Sequence, residues 1–227
     1  MIIPMFQPIH STKSGVVVGA EVLNRWFFDE VYYAPGDVRV GIRWEDIDPE
    51  VILLLIKNIP AIEARYPRLM INVSEETLES DYRFAAWIAQ VERFRALTTV
   101  ELIIEMTEGV TDASLWKRWD ELKVKGIPLV MDDYGYKNST HERLEAFPWD
   151  GCKFDVKRLA ALAQKDMKGV RFCQDSDIPL IGEQVETEQL AQQSSWMGVH
   201  LQQGYHHGRP ALLDGWVKKE KKQAVAK

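Results

Sequence analysis

Short apolar runs recur along the chain and are separated by longer stretches with helical periodicity. Each run is rich in β-branched residues and ends in a polar residue, which is typical of a buried strand. Eight such runs are predicted as strands, over residues 3–7, 16–22, 69–73, 100–105, 128–132, 151–155, 179–183 and 199–203. Because strands that alternate with helices form parallel sheets, this pattern predicts an α/β fold, a TIM-type (β/α)8 barrel.

The connection between the first two predicted strands is too short for a regular barrel. Only "PIHSTKSG" lies between residues 7 and 16, whereas a parallel crossover needs about a dozen residues or more. We therefore predict that these strands pair antiparallel through a turn at 11–15, so that the barrel is modified and has one reversed strand. The segment 29–50 is rich in Asp, Glu, Gly and Pro, and is predicted to be a long loop with room for a short helix.

Composition and charge narrow the class of protein. The 227 residues are 46% hydrophobic and 27% charged, which is ordinary for a globular chain. A barrel of this length is commonly one domain, so we predict a single domain over 1–227 in which 216–227 form a frayed basic tail. The net charge of −6 disfavours direct binding to a nucleic-acid polymer, which normally needs a basic stripe.

The chain has no feature that predicts a membrane or a secreted location. The longest apolar run, 51–56, is far too short to span a bilayer, and the first ten residues lack the basic and apolar regions of a signal peptide. Two cysteines without metal-ligand spacing suit a reducing compartment. We therefore expect a cytoplasmic protein that binds no membrane.

Polar residues end most of the predicted strands. They are Glu21, Asn72, Glu105, Asp132, Lys153, Glu183 and Gln203, with Asp133 directly after Asp132. In barrels of this kind the site lies at the C-terminal ends of the parallel strands, so these side chains are expected to converge. Carboxylate and amide oxygens suit a hard divalent cation, Mg²⁺ or Mn²⁺.

The adjacent aspartates support this interpretation. Neighbouring carboxylates repel each other, but the repulsion between Asp132 and Asp133 is reduced if the two share metal ions. Two such ions could clamp a phosphodiester and activate a water for attack. A single acid at a strand end is more often a helix N-cap or a solvated loop residue, so the prediction depends on the whole set meeting at one face.

Short motifs occur in a characteristic order and spacing. They are "FQPI" at 6–9, "EVLNR" at 21–25, "INVS" at 71–74, "IEMTE" at 104–108, "DDYG" at 132–135, "GCKFD" at 151–155, "GEQVET" at 182–187 and "QGYHHGRP" at 203–210. In this order they resemble the EAL-domain cyclic di-GMP phosphodiesterases over essentially the whole chain. The resemblance implies metal-dependent hydrolysis of cyclic di-GMP to the linear dinucleotide pGpG, and a homodimer formed near the loop after "DD".

The resemblance also implies roles for individual residues. The expected metal ligands are Glu21, Asn72, Glu105, Asp132 and Asp133. Lys153 positions or activates the attacking water, Glu183 and Gln203 complete the metal and water shell, and Glu108 anchors the loop after the aspartate pair. For the substrate, Arg25 suits a phosphate and Asp155 is a supporting acid. Leu23 and Tyr205 are predicted to pack on a guanine, with core packing as the alternative.

The chain departs from the family pattern at two glycines. The loop that usually reads "DDFGTGYSS" is "DDYGYKNST" here, with Lys137 at a glycine position, and Gln184 replaces the glycine of "EGVET". If such a position needs a positive φ, the side chain strains the loop by about 1–2 kcal/mol. The segment 154–182 is also shorter than usual.

These departures keep other functions open. One alternative is a catalytically inactive domain that serves as a cyclic di-GMP receptor or regulates a protein partner by contact. Another is a different barrel metalloenzyme, a lyase or aldolase, which predicts a different phosphate-binding arrangement after strands 7 and 8.

Overall fold

The computed structural model describes residues 1–38, 41–161 and 167–216. Its strands are β1 (Ile2–Ser11), β2 (Val16–Phe28), β3 (Val31–Tyr33), β4 (Arg68–Val73), β5 (Glu101–Met106), β6 (Leu129–Met131), β7 (Gly151–Asp155), β8 (Leu180–Glu183) and β9 (Leu201–Gln203). Its helices are α1 (Trp44–Lys57), α2 (Ile59–Glu63), α3 (Glu75–Glu79), α4 (Asp81–Leu97), α5 (Asp112–Val124), α6 (His141–Ala146), α7 (Val156–Ala161), α8 (Lys168–Asp175) and α9 (Glu188–Trp196), and a 3-10 turn spans Pro35–Asp37.

Eight of the strands close into a barrel. Their order is β1-β9-β8-β7-β6-β5-β4-β2, and β1 pairs with β2 to complete the ring, while β3 is added at the far edge of β2. Strand β1 is antiparallel to both of its neighbours, and the pairs from β2 through β4 to β9 are parallel. The predicted barrel with one reversed strand is therefore confirmed.

The reversal occurs at the predicted turn. The Gly15 N–H donates to the Ser11 carbonyl at 2.8 Å, and Gly15 has a φ of 72°, a left-handed conformation that suits a residue without a side chain. The ladder then runs from Ser11 opposite Val16 to Ile2 opposite Trp26. Both strands extend beyond the predicted ranges because they form one long hairpin rather than two short barrel strands.

The prediction of a long loop over 29–50 missed a strand, and the helix that begins there is longer than the short one it allowed. Strand β3 pairs with the end of β2, and α1 begins at Trp44, well inside the expected loop. The hairpin turns at Asp29 and Glu30, both with positive φ (49° and 63°), and two pairs of aromatic rings with centroids 4.7 Å apart support it. An Asp-Glu pair is not a usual hairpin turn sequence, so local propensity does not indicate it.

The predicted tail begins with a core residue. Trp216 is buried and its ring meets that of Phe6 edge-on, with centroids 5.3 Å apart. Residue 216 is therefore not part of a frayed tail. The rest of that prediction, 217–227 with the basic run at 218–222, lies outside the described residues, as do 162–166 of the shortened segment.

The barrel interior is filled in two layers. The lower layer is apolar and consists of Ile9, Met70, Ile103, Val130 and Ile181, with Val18 and Leu201 against it. Because side chains alternate along a strand, the residue two positions further points into the same interior, one step nearer the mouth. Those residues are polar: Asn72, Glu105, Asp132, Glu183 and Gln203. The apolar layer thus closes the barrel beneath a polar layer.

The outward-facing strand residues build the larger core. Ile104, Met131 and Phe154 belong to one cluster with helix residues such as Trp87 and Leu122, and all are buried. This apolar core packs against the outer side of the strands and holds them in place. The inward-facing residues at the strand ends can therefore be polar or charged, because the packing of the core does not depend on them.

Asp48 of α1 holds the segment that follows Asn72. Its Oδ2 accepts hydrogen bonds from Ser74 N (3.0 Å), Ser74 Oγ (2.7 Å) and Thr77 Oγ1 (2.7 Å), and Ser74 is the N-cap of α3. Burial raises the pKa of Asp48 to about 6. These bonds join α1 to the end of β4, the strand that carries Asn72 into the polar layer.

We expect Asp48→Ala to lower the free energy of unfolding by about 2–3 kcal/mol, because it leaves buried donors without an acceptor. Asp48→Asn is the matched control, since it keeps one acceptor oxygen and the side-chain shape, and it should lose less than half of that amount. Urea denaturation followed by circular dichroism measures both. Equal losses in the two variants would contradict the role of the accepted bonds.

Candidate active site

Lys153 lies at the centre of the polar layer. Its side chain is 1% exposed, and its Nζ contacts Glu183 Oε1 at 2.8 Å and Glu105 Oε2 at 2.9 Å. Glu21 Oε2 and Asp132 Oδ1 are each 3.1 Å from the same atom. One ammonium therefore gathers four carboxylates that come from β2, β5, β8 and the residue after β6. The convergence that the strand ends predicted is present in the structure.

The amide side chains orient Glu21. Asn72 Nδ2 donates to Glu21 Oε1 at 3.1 Å, and Gln203 Nε2 donates to Glu21 Oε2 at 2.6 Å. Gln203 Nε2 also donates to Gln7 Oε1 at 3.1 Å, and Gln7 Nε2 donates to the Gly208 carbonyl at 3.1 Å. Both oxygens of Glu21 thus have fixed directions within the layer.

Gln7 belongs to this layer although sequence reasoning did not place it there. It pairs with Glu21 across the β1–β2 ladder. The rule that a site lies at the C-terminal strand ends covers parallel strands only, and β1 runs the other way. The signal that could have found Gln7 is the predicted reversal of β1, which turns the earlier part of that strand towards the mouth.

The turn at Asp133 explains how two adjacent carboxylates reach the same place. Successive residues of a strand point to opposite faces, but Asp133 follows β6 with a φ of 48°, in the left-handed region that Asp tolerates. Oxygens of Asp132, Asp133 and Glu108 all lie within 4.8 Å of one another. Glu108 also accepts a bond from Asn138 N at its backbone carbonyl (3.2 Å), so it contacts the loop after the aspartate pair as well.

The polar layer contains more acidic than basic side chains, and the pKa values of most of its carboxyl groups are raised. Burial raises the pKa of Glu105 well above its usual value, and the charge of Glu21 adds to this. Burial likewise raises the pKa of Glu183 to about 8, and burial with the charge of Asp132 raises the pKa of Asp133 to about 6. Without a further cation, bound protons reduce the net charge of this site.

Glu21 is the exception among these acids. Burial acts to raise its pKa, but the Lys153 ammonium and the hydrogen bond from Gln203 outweigh that effect and lower it. Burial also acts to lower the pKa of Lys153, and the surrounding carboxylates, Asp132 and Glu105 first, raise it well above its usual value. Lys153 and Glu21 thus stabilise each other in their charged forms.

The donor set fits a hard divalent cation. Glu105 Oε1 and Gln203 Oε1 are buried and have no hydrogen-bond partner in the described part of the chain. Buried acceptors are normally satisfied, and bound cations would provide partners for such oxygens. Carboxylate and amide oxygens without imidazole or thiolate favour Mg²⁺, Mn²⁺ or Ca²⁺ over zinc.

Two cavities open above the layer. One has a volume of about 410 Å³ and is lined by Gln7, Glu21, Leu23, Asp132, Asp133, Glu183, Gln184, Glu186, Gln203, Gly204 and Tyr205. The other, of about 510 Å³, is lined by Arg25, Lys137, Trp44 and Asn72 among others, and Leu23 lines both. The acidic cavity thus adjoins one that carries two cationic side chains beside the acids Asp48, Glu75, Glu76 and Glu108, and Arg25 and Lys137 are the groups there that suit a phosphate.

The structure places Asp155 elsewhere. It lines neither of these two cavities, and its carboxylate accepts bonds from Arg158 N at 3.1 Å and Gln184 Nε2 at 3.0 Å. Its surroundings therefore favour a positioning role on the loop after β8 rather than substrate contact. Tyr205 lies at the acidic cavity and is half exposed, with the Arg209 guanidinium 4.1 Å from its ring centroid.

Lys137 and Gln184 both occupy the left-handed region, with φ of 41° and 55°. Both positions therefore have the positive φ that favours glycine, and the side chain at each strains its loop by about 1–2 kcal/mol relative to glycine.

The family model of the EAL domain matches residues 1–210, and the chain belongs to the EAL domain family. It is 28% identical over 93% of its length to "Probable cyclic di-GMP phosphodiesterase PdeD" of Escherichia coli K12, covering 42% of that protein. It is 26% identical over 95% of its length to "Cyclic di-GMP phosphodiesterase PdeL" of the same organism, covering 65%. The chain thus spans less than two thirds of the length of these relatives.

A solved structure supports the fold. The Bacillus subtilis YkuI protein, with an EAL domain and in complex with substrate c-di-GMP and calcium, matches with a TM-score of 0.79 at 20% identity. The match covers 97% of this chain and 57% of that one. Among the described residues, the helices are all too short or too polar to cross a membrane.

Proposed function

We propose that this chain hydrolyses cyclic di-GMP to pGpG with two divalent ions, Mg²⁺ or Mn²⁺. The observation that carries the proposal is the convergence of Glu21, Glu105, Asp132 and Glu183 on Lys153 at the open end of the barrel, beneath the acidic cavity. The relatives named as cyclic di-GMP phosphodiesterases and the YkuI complex with cyclic di-GMP support the choice of substrate.

Two groups of residues would hold the ions. Glu21, Asn72, Glu105 and Asp132 would bind the first, and Asp132, Asp133 and Glu108 the second, since oxygens of these three acids lie together. When bound, such ions supply positive charge to the phosphodiester and lower the pKa of a bound water.

The side chains of the protein orient the reaction. Lys153 holds the carboxylates in place and would position the attacking water through them, while Gln203 and Glu183 complete the polar shell around it. A proton released from that water would be taken up by the ionised Glu183 carboxylate, which lines the acidic cavity.

The rest of the substrate would lie across both cavities. Arg25 uses one N–H on the Asn24 carbonyl at 2.9 Å, which leaves further donors for a phosphate oxygen. Leu23 borders both cavities and Tyr205 borders the acidic one, so both are placed to pack on guanine bases.

Incubation of the protein with cyclic di-GMP and Mg²⁺ or Mn²⁺ tests the proposal. We expect pGpG, separated by chromatography, with either ion and none in EDTA. Repeating the assay across protein concentrations tests the predicted homodimer. Absence of pGpG with both ions would overturn the enzymatic function.

A receptor without turnover is the second candidate. It is favoured by the ion pair of Lys137 with Glu108 beside the second ion position, and by the left-handed φ of Lys137 and of Gln184, which lie in two different loops. Calorimetry with cyclic di-GMP separates the two functions, because binding without product supports the receptor. Regulation of a protein partner and a cytoplasmic location remain predictions.

A further inference from the structure

Lys137 brings a positive charge to the second ion position. Its Nζ lies 2.7 Å from Glu108 Oε1. Glu108 is one of the three acids whose oxygens lie within 4.8 Å of one another, with Asp132 and Asp133. Lys137 reaches this place from a left-handed backbone (φ 41°), four residues after Asp133 in the same loop.

We propose that Lys137 competes with the second divalent ion for Glu108. The ammonium takes one of the oxygens that the ion needs, so the position formed by Glu108, Asp132 and Asp133 binds a divalent ion more weakly than it would without Lys137. This inference rests on the proposed two-ion function, and it assigns Lys137 a role in how that site is loaded.

The exposure of the two lysines explains why the competition is reversible. Lys153 is 1% exposed and contacts four carboxylates, so it is a permanent part of the first position. The Lys137 side chain is 67% exposed and that of Glu108 is 25% exposed, so the ammonium can move into water when an ion arrives. An exposed ion pair is weak, and the expected effect on ion affinity is about fivefold.

The backbone of the loop does not depend on this ion pair. Asn138 N donates to the Glu108 carbonyl at 3.2 Å, Ser139 N donates to the Tyr136 carbonyl at 2.8 Å, and Gly135 N donates to the Ser139 carbonyl at 2.7 Å. Removing the ammonium of Lys137 therefore leaves these bonds in place, and a change in ion binding reports on charge rather than on loop folding.

Manganese titration of the metal-stripped protein tests the inference. Electron paramagnetic resonance of free Mn²⁺ counts the bound ions and their affinities in the unaltered protein and in Lys137→Met, Lys137→Arg and Lys125→Met. Lys125 pairs with Glu92 at 2.8 Å beyond the end of α5, so its variant changes the net charge equally at a remote ion pair.

We expect Lys137→Met to tighten one of the two sites about fivefold and to leave the other unchanged. Lys137→Arg and Lys125→Met should both match the unaltered protein. Two unchanged sites in Lys137→Met overturn the competition, and so does equal tightening in the Met and Arg variants, which would indicate an effect of side-chain shape. Absence of Mn²⁺ binding in all four proteins overturns the metal-dependent function as well.

Discussion

Under the proposed function, Glu105→Gln is expected to reduce hydrolysis of cyclic di-GMP by about 10³-fold or more, because it would remove a ligand of the first ion. The same change should leave the metal-free protein as stable as before. Glu105 is fully buried and its pKa is raised well above the ordinary 4.5, first by burial and then by Glu21. Glutamine has the shape of the protonated acid, so it fits the metal-free site without a charge.

The pH dependence of stability checks the second half of this prediction. A folded pKa above the unfolded value means that the folded protein holds the proton more tightly, so the contribution of Glu105 is present at low pH and is lost as the pH rises above about 4.5. Urea denaturation in EDTA should therefore show a smaller loss of stability with rising pH in Glu105→Gln than in the unaltered protein.

Glu101→Gln is the matched control for activity. Glu101 begins the same strand, β5, but is exposed and lies 3.5 Å from the Arg68 guanidinium at the other end of the barrel. It should keep full production of pGpG. Substantial turnover by Glu105→Gln, or a large loss of its stability in EDTA, would contradict the role of Glu105.

Lys153→Met should destabilise the metal-free protein by about 3–5 kcal/mol, because it removes the partner of a buried charge. Methionine has a similar length and no charge, so the four carboxylates around Nζ would lose their common cation. The lowered pKa of Glu21 depends on Lys153 more than on any hydrogen bond, so this acid should then take up a proton. Added Mn²⁺ should recover part of the stability, whereas hydrolysis should remain lost.

The matched control is Lys157→Met, in α7. Lys157 forms an exposed ion pair with Glu186 at 2.7 Å, so its loss should change the free energy of unfolding by less than about 1 kcal/mol. Urea denaturation of both variants, with and without Mn²⁺, gives the comparison. If Lys153→Met were as stable as Lys157→Met in EDTA, Lys153 would not be the cation that holds the layer together.

The barrel and most of its polar layer were predictable from local pattern. The period of two along a strand determines that Met70 and Asn72, or Ile103 and Glu105, share one face, and parallel strands bring their C-terminal ends to one mouth. The short link before residue 16 likewise predicted the reversal of β1. These inferences needed no knowledge of distant contacts, because each depends on spacing within one segment.

Other features could not be predicted from the sequence, because each depends on residues outside the segment in which it occurs. The hairpin with β3 is supported by two pairs of aromatic side chains, one tilted and one stacked, across a turn that has no favoured sequence. Gln7 reaches the site only because β1 is reversed, and the environment of Asp155 is set by Gln184, 29 residues further along the chain. A strand-end rule treats Asp155 as it treats Glu105, although their partners differ.

The sequence by itself determined which residues face the barrel interior and that carboxylates, two amides and one lysine end the strands, since alternation is a local property of the chain. The tertiary structure alone decided how these groups meet. Closure of the barrel placed Lys153 within 3.1 Å of Glu21, 132 residues away, and left-handed backbone at Asp133 and Lys137 aimed a second aspartate and a second ammonium at Glu108. Such distances depend on ring closure and on single φ angles, which a hydrophobic pattern does not encode.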